Sequence, residues 1–376
     1  MEEKIYLSPP NLTDNARLLV DKAITSNWIA PNGPMVDQFE LDLSEKLDIP
    51  NTITALQSGT AAIHLACRHL NIGSGDIVLC PSFTFIASIS PAIQLGAEVV
   101  FIGSESRTWN LCPNALEEAI KYCKKKGNLP KAIVTVSLFG MPYEVDKVHQ
   151  IAQKYDIPII EDAAEALGST YNGKPMGTFG EYSIFSFNGN KIITTSGGGA
   201  LRVQTAKAKE HTIYLASQAK LPSLAYEHKE LGYNYRLSNI SAAIGVSQLE
   251  VLEKRVHQKR TINQFYSEAL SSLPGFEIHK EPDHTFFSNH WLTCFLIDEE
   301  SGTTNHKIRE HLDAKSIESR YLWKPLHTQK VFENTTYIGD GIEVELFKKG
   351  LCLPSGTGLQ QKDLIRITEV IKSTRL

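Results

Sequence analysis

No stretch of the 376-residue chain reaches the ~18 consecutive apolar residues that a bilayer-spanning helix requires. Neither sign of charge dominates. With a formal net charge of −4 and a pI near 6.3, the chain has no broad basic field to favour nucleic acid or an anionic membrane as partner. Cysteine is sparse and scattered: Cys67, Cys80, Cys112, Cys123, Cys294 and Cys352 form no CxxC pair and no Cys/His grouping at metal-ligand spacing. They read as free thiols of a reducing compartment. The N-terminal MEEKIYLSPP carries acid where a signal peptide carries positive charge. No internal repeat or low-complexity segment is visible. These absences give the expectation of a soluble, cytoplasmic protein with no nucleic-acid, membrane or metal partner.

What is present is enough apolar material for more than one core, since single cores usually stop growing near 250–300 residues. Helical spacing of Leu12, Ala16, Leu19, Val20 and Ala23 marks a helix over 11–26, and a second follows over 35–47. The residues between, SNWIAPNGP, must be irregular. Short apolar strands at 52–56, 77–80, 98–102, 132–138 and 157–160 then alternate with helical segments at 59–70, 84–94, 113–125 and 144–154. That alternation implies an α/β fold, a mostly parallel sheet with helices on both faces. Strands at 182–187 and 199–203 follow. A long helical pattern over 239–273 changes the texture of the chain. Beyond it strands at 292–297 and 319–322 mix with helices at 304–315, 341–349 and 361–373, so a boundary near residue 250 divides a large domain, 1–250, from a smaller C-terminal α+β domain, 251–376.

Ligands in such sheets bind beyond the carboxyl ends of the strands. The residues at those ends carry chemistry. After the strand at 52–56 comes Gln57-Ser58-Gly59-Thr60, where Gly59 and Thr60 open a helix whose unpaired amides suit a phosphate, or which Ser58 simply caps. After the strand at 157–160 come Glu161 and Asp162, followed by small residues that would let a planar ligand approach. Between the strands at 182–187 and 199–203 lies Lys191, in FSFNGNKIITTSGGGAL, a candidate nucleophile toward an aldehyde if desolvation lowers its affinity for a proton. A phosphate cradle, an acid and a lysine at one sheet edge match the phosphate, basic ring nitrogen and aldehyde of pyridoxal 5'-phosphate.

The combination resembles the DegT/DnrJ/EryC1/StrS family of sugar aminotransferases, which have the fold type I, aspartate aminotransferase-like architecture. The likeness runs through SNWIAPNGP at 26–34, SGTAAIHLA at 58–66, PSFTFIAS at 81–88, EDAAEALGS at 161–169, SFNGNKIITTSGGGAL at 186–201, GYNYRLSNISAAIGVSQLE at 232–250 and LHTQ at 326–329. It implies that Lys191 holds the cofactor and moves the proton once released, and that Asp162 pairs with the ring nitrogen. It further implies that Phe85 stacks on the ring, that Glu165 approaches the ring hydroxyl, and that Gly59, Thr60 and Ser186 bind the phosphate. Asn234 would reach the phosphate from a neighbouring subunit, which makes the active unit a homodimer with shared sites.

The resemblance also implies transfer of an amino group from L-glutamate to a keto group of a nucleotide-linked deoxysugar. The SNWIAP segment and the ESRYLWKPLH run at 318–327 are most similar to members acting at carbon 4 of UDP-4-keto-6-deoxy-N-acetylglucosamine, the bacillosamine branch of polysaccharide biosynthesis. Trp28, Lys324 and His327 are the candidate nucleotide-sugar contacts, with Trp28 as a packed aromatic and His327 as a hydrogen-bonded turn residue the alternatives. Other readings are amination at carbon 3, another nucleotide sugar of the same family, or a regulator that binds the cofactor without turnover. A sugar dehydratase on the same fold would replace the lysine with histidine.

Overall fold

A computed structural model describes residues 3–374; Met1 and Glu2 of the acidic N-terminal segment lie outside the described residues, as do the last two. The larger sheet has eight strands, in the order Ile53–Leu56, Gly199–Arg202, Tyr182–Ser186, Ile159–Asp162, Ala132–Val136, Ile77–Pro81, Glu98–Ile102 and Thr336–Ile338. Neighbours run parallel except Gly199–Arg202, which is antiparallel to both strands beside it. The central strands read as unbroken apolar runs because both of their faces are covered: Ile77–Pro81 and Ala132–Val136 are buried at every position. Helices Gly59–His69, Pro113–Lys125 and Val145–Tyr155 bury their apolar stripes in the same core.

Two expected helices are broken. The segment 84–94 forms a 3-10 turn, Ile86–Ser88, and a five-residue helix, Ser90–Gln94, with Pro91 at its start. The pattern over 239–273 divides into Asn239–Leu249 and Leu252–Leu270, with Val251 between them at φ −114° and ψ 10°. The first of these is buried on nearly every side against the large sheet's core. The second spans both cores: Leu252 and Val256 pack with the large sheet's core, and Ile262, Tyr266 and Leu270 meet Phe295, Leu351 and Ile367 in another.

That second core is built on a four-stranded antiparallel sheet, Phe276–Ile278, Thr293–Ile297, Gly350–Leu353 and Arg320–Tyr321, covered by Leu252–Leu270, Asn305–Ala314 and Gln361–Ser373. Two segments cross between the cores. Thr336–Ile338, which the sequence pattern does not reveal, joins the large sheet beside Glu98–Ile102, while Ile5 packs into the second core and bridges to Ile317. Among the described residues no helix is long and apolar enough to cross a membrane.

Candidate active site

A cavity of about 480 Å³ opens at the carboxyl ends of the parallel strands, within the range of small-molecule sites. It is lined by Ser58, Gly59, Thr60, Phe85, Asp162, Glu165, Ser186 and Lys191, so seven of the expected cofactor contacts share one wall system. Their placement follows from local structure. Ser58 caps the helix Gly59–His69 through its side chain, 3.1 Å from the Ala61 amide, and leaves the opening amides facing the cavity. Ser186 ends the strand Tyr182–Ser186, one strand beyond Gly199–Arg202, and pairs with Gly199. The helix start and Ser186 can meet only because position 199 is glycine: a Cβ there would collide with the Ser58 carbonyl and the Gly59 amide.

Lys191 sits on the loop that joins two antiparallel strands. Phe187 anchors that loop at both ends: its amide donates to the Gly198 carbonyl at 2.9 Å, and its carbonyl accepts from the Thr195 amide at 3.0 Å and the Thr194 hydroxyl at 3.1 Å. The lysine backbone is held by donation to the Asn188 carbonyl at 3.0 Å. Its side chain is only 14% exposed, with Nζ 3.3 Å from Glu165 Oε1 and 4.2 Å from the centre of the Trp291 ring.

Asp162 and Glu161 are neighbours on a strand and therefore face opposite sides of the sheet. Glu161 turns away from the cavity, accepting from the amides of Gly177, Phe179 and Gly180 and from the Ser183 hydroxyl, and so holds the 177–180 turn. Asp162 turns toward it. Its carboxylate accepts from the Ser88 hydroxyl at 2.7 Å and the Ala164 amide at 3.1 Å. Burial pushes its pKa up, opposed by those hydrogen bonds and by the Lys191 charge. A buried carboxylate in this state is short of a cationic partner.

Glu165, also raised by burial against the charge of Lys191, accepts from the Phe139 amide at 2.7 Å. Phe139 adopts φ +54°, a left-handed conformation rare for a bulky side chain, and thereby turns its amide toward the glutamate. Phe85 is 50% exposed at the cavity wall and lies 5.2 Å from the Trp323 ring, an arrangement that leaves a ring face free, unlike core packing.

The remaining expected contacts are elsewhere. Trp28 is 53% exposed, with its carbonyl accepting from Asn239, and Asn234 and Lys324 are exposed; none of the three lines the cavity. His327 is half-buried: its ring stacks on Tyr337 at 3.9 Å, its Nδ1 lies 2.6 Å from Ser82 Oγ, and burial lowers its pKa against the Glu343 charge. Conversely, Ser88, Trp291, Arg320 and Trp323 line the cavity and were not singled out from the sequence. Ser88 stood inside PSFTFIAS, four residues from Thr84, and the two hydroxyls are 2.9 Å apart. Trp291 lies far along the chain, beyond residue 250, yet packs in the large-sheet core, and it had no local signal.

The residues present fit pyridoxal phosphate: amides and hydroxyls at a helix start for the phosphate, a carboxylate lacking a cation for the ring nitrogen, a free aromatic face, and an enclosed amine.

The profile of the DegT/DnrJ/EryC1/StrS aminotransferase family matches residues 10–372. EpsN of Bacillus subtilis, by name a pyridoxal phosphate-dependent aminotransferase, is 46% identical over 99% of this chain and 96% of its own. A GDP-perosamine synthase of Escherichia coli O157:H7 is 34% identical, covering 96% of each chain. A UDP-4-amino-4,6-dideoxy-N-acetyl-beta-L-altrosamine transaminase of Campylobacter jejuni is 34% identical over 72% of this chain and 71% of its own. Among solved structures, a DegT DnrJ EryC1 StrS aminotransferase from Brucella abortus superposes with a TM-score of 0.89 at 28% identity, covering 96% of this chain and 95% of its own.

Proposed function

The chain belongs to the DegT/DnrJ/EryC1/StrS aminotransferase family, and from that premise we propose that it moves an amino group from L-glutamate to the 4-keto group of UDP-4-keto-6-deoxy-N-acetylglucosamine. The coarser statement stands without proposal: this is a pyridoxal phosphate-dependent sugar aminotransferase of fold type I. The observation that carries the reading is the meeting of Lys191, Asp162 and Glu165 in one cavity beside the Gly59 helix start. The name of the Campylobacter relative, with its UDP, 4-amino and N-acetyl groups, supports the finer substrate. The Escherichia relative favours a second reading, a GDP-linked sugar.

When bound, pyridoxal phosphate supplies an electron sink for the carbon that gains or loses the amino group. This chain's residues do the rest. Asp162 would pair with the ring nitrogen, gaining the counter-charge it lacks. Lys191 would hold the cofactor and, once freed, serve as proton carrier through its Nζ, with Glu165 Oε1 orienting that amine. Gly59, Thr60 and Ser186 would hold the phosphate, and Phe85 would cover the ring. Trp28, Asn234, Lys324 and His327 stay outside this cavity, so we assign Asn234 to the site of a second chain in a homodimer and keep the other three as contacts for the nucleotide end. The division into 1–250 and 251–376 places the phosphate cradle, Asp162 and Lys191 on the first part and Trp291 and Arg320 on the second.

Adding L-glutamate to the cofactor-loaded protein should replace the absorbance of the lysine-bound form with that of pyridoxamine phosphate. The reloaded amino group is then offered to UDP- and GDP-linked 4-keto sugars, and the aminated carbon is read by NMR. Faster turnover of a GDP sugar, or amination at carbon 3, would overturn the finer assignment while leaving the transaminase standing.

A further inference from the structure

Lys259 is fully buried on the helix Leu252–Leu270 and has no anionic partner among the described residues. An ammonium in that position is costly unless every proton finds an acceptor. Its Nζ donates to the Trp291 carbonyl at 2.8 Å and the Ser355 carbonyl at 2.9 Å, and lies 3.5 Å from the Ser8 hydroxyl. Two of those three partners lead to the cavity. Trp291 Nε1 donates to the Asn190 carbonyl at 2.8 Å, and Ser8 Oγ donates to the same carbonyl at 3.1 Å. Asn190 precedes Lys191. The Trp291 ring itself covers the Lys191 amine at 4.2 Å.

We propose that Lys259 is a positioning residue of the active site: by gripping the Trp291 backbone and the Ser8 hydroxyl it fixes the indole that covers the Lys191 amine and the carbonyl of Asn190, the residue just before Lys191. Asn289 grips Trp291 from the other side, accepting from the Trp291 amide at 2.8 Å while its own amide group donates to the Glu165 and Leu167 carbonyls, each at 2.9 Å. The indole is thus tied to the segment that carries Glu165 and, through Lys259, to the C-terminal strand end at Ser355. A short hydrogen-bonded chain links the second core to the amine of the first. Its purpose is geometric, since the cation–π contact and the Glu165 contact hold the amine only while ring and loop keep their places.

The inference rests on Lys191 being the reactive lysine, and the test needs no cofactor, so it can fail or hold independently of the transaminase reading. The cofactor-free protein is treated briefly with acetic anhydride at fixed pH, and the acetylation rate of each lysine is read by peptide mass spectrometry. Lys209, held by Glu40 at 2.9 Å far from this network, reports general loosening of the fold. Lys259→Met is expected to raise the Lys191 rate about two- to fivefold, the loss of one cation–π contact, while Lys209 stays at its original rate. Trp291→Phe, which retains a ring but removes one of the two donors to the Asn190 carbonyl, should act in the same direction, and the double variant should add little to the larger single effect. If Lys259→Met does not fold, Ser8→Ala tests the other arm with the same expected direction. An unchanged Lys191 rate, a rise matched by Lys209, or additive effects in the double variant would overturn the proposal.

Discussion

Asp162, which we assign to the cofactor's ring nitrogen, accepts from the Ser88 hydroxyl at 2.7 Å. A hydrogen bond to a charged group contributes about 1.5–3 kcal/mol, so Ser88→Ala should lower the rate of the glutamate half-reaction by roughly 10- to 100-fold. Cofactor content, fixed mainly by the phosphate cradle and Lys191, should stay near full in the same variant. Lys259 makes a pH prediction. Burial, with the charge of Arg255 one turn away on the same helix, lowers its pKa from 10.5 to about 7, and Lys191 lies across a small void that both lysines line. Between about pH 7 and 10.5 the unfolded chain then binds this proton and the folded one does not, so its effect is a stability that rises with pH across that window. Urea titrations of Lys259→Met should show a flatter rise there than the parent. At this scale the sequence was legible where a residue acts through its own local segment: Lys191, Asp162 and Glu165 all stand where their motifs place them. It was silent on Trp291 and Arg320, which lie more than 90 residues beyond Lys191 and reach the cavity only after the chain has folded back on itself.

At the scale of elements, strands ending in polar residues were the readable feature. The boundaries of the large sheet's strands lie within two residues of the pattern, because fully buried parallel strands carry unbroken apolar runs. Periodicity could not show where a helix must break. Asn239–Leu249 and Leu252–Leu270 have continuous helical composition, and the break at Val251 leaves no mark in it. The three-residue strand Thr336–Ile338 is too short and half-exposed to leave a period. Gly199 illustrates how an element carries function. Gly199→Ala would drive a methyl group into the Ser58 carbonyl and the Gly59 amide, forcing the strand and the helix start apart. The expected result is a pyridoxal phosphate affinity lowered at least about tenfold, a loss of one good charge-assisted hydrogen bond or more at the helix start. Equilibrium dialysis checks it, and a fall in thermal stability should accompany the loss.

For the whole molecule, the proposed shared-site homodimer would place Asn234 of one chain at the phosphate of the other; Asn234 is exposed and outside its own chain's cavity. Refolding equal amounts of Lys191→Ala and Asn234→Glu chains together tests this arrangement. Each mixed dimer then has one site with both defects and one with neither, and random assortment leaves roughly a quarter of all sites intact. Activity no greater than that of the two parents would mean that Asn234 serves its own chain.

The proposed chemistry depends on Lys191 being the residue that joins the cofactor in the cavity at the carboxyl ends of the large sheet's strands. The most direct measurement loads the folded protein with pyridoxal phosphate, fixes the lysine bond with sodium borohydride, and maps the added mass by peptide sequencing. The account predicts one phosphopyridoxyl group per chain, on Lys191, and none at that stoichiometry in Lys191→Ala. Stoichiometric label on a different lysine, or none on the folded parent protein, would contradict it.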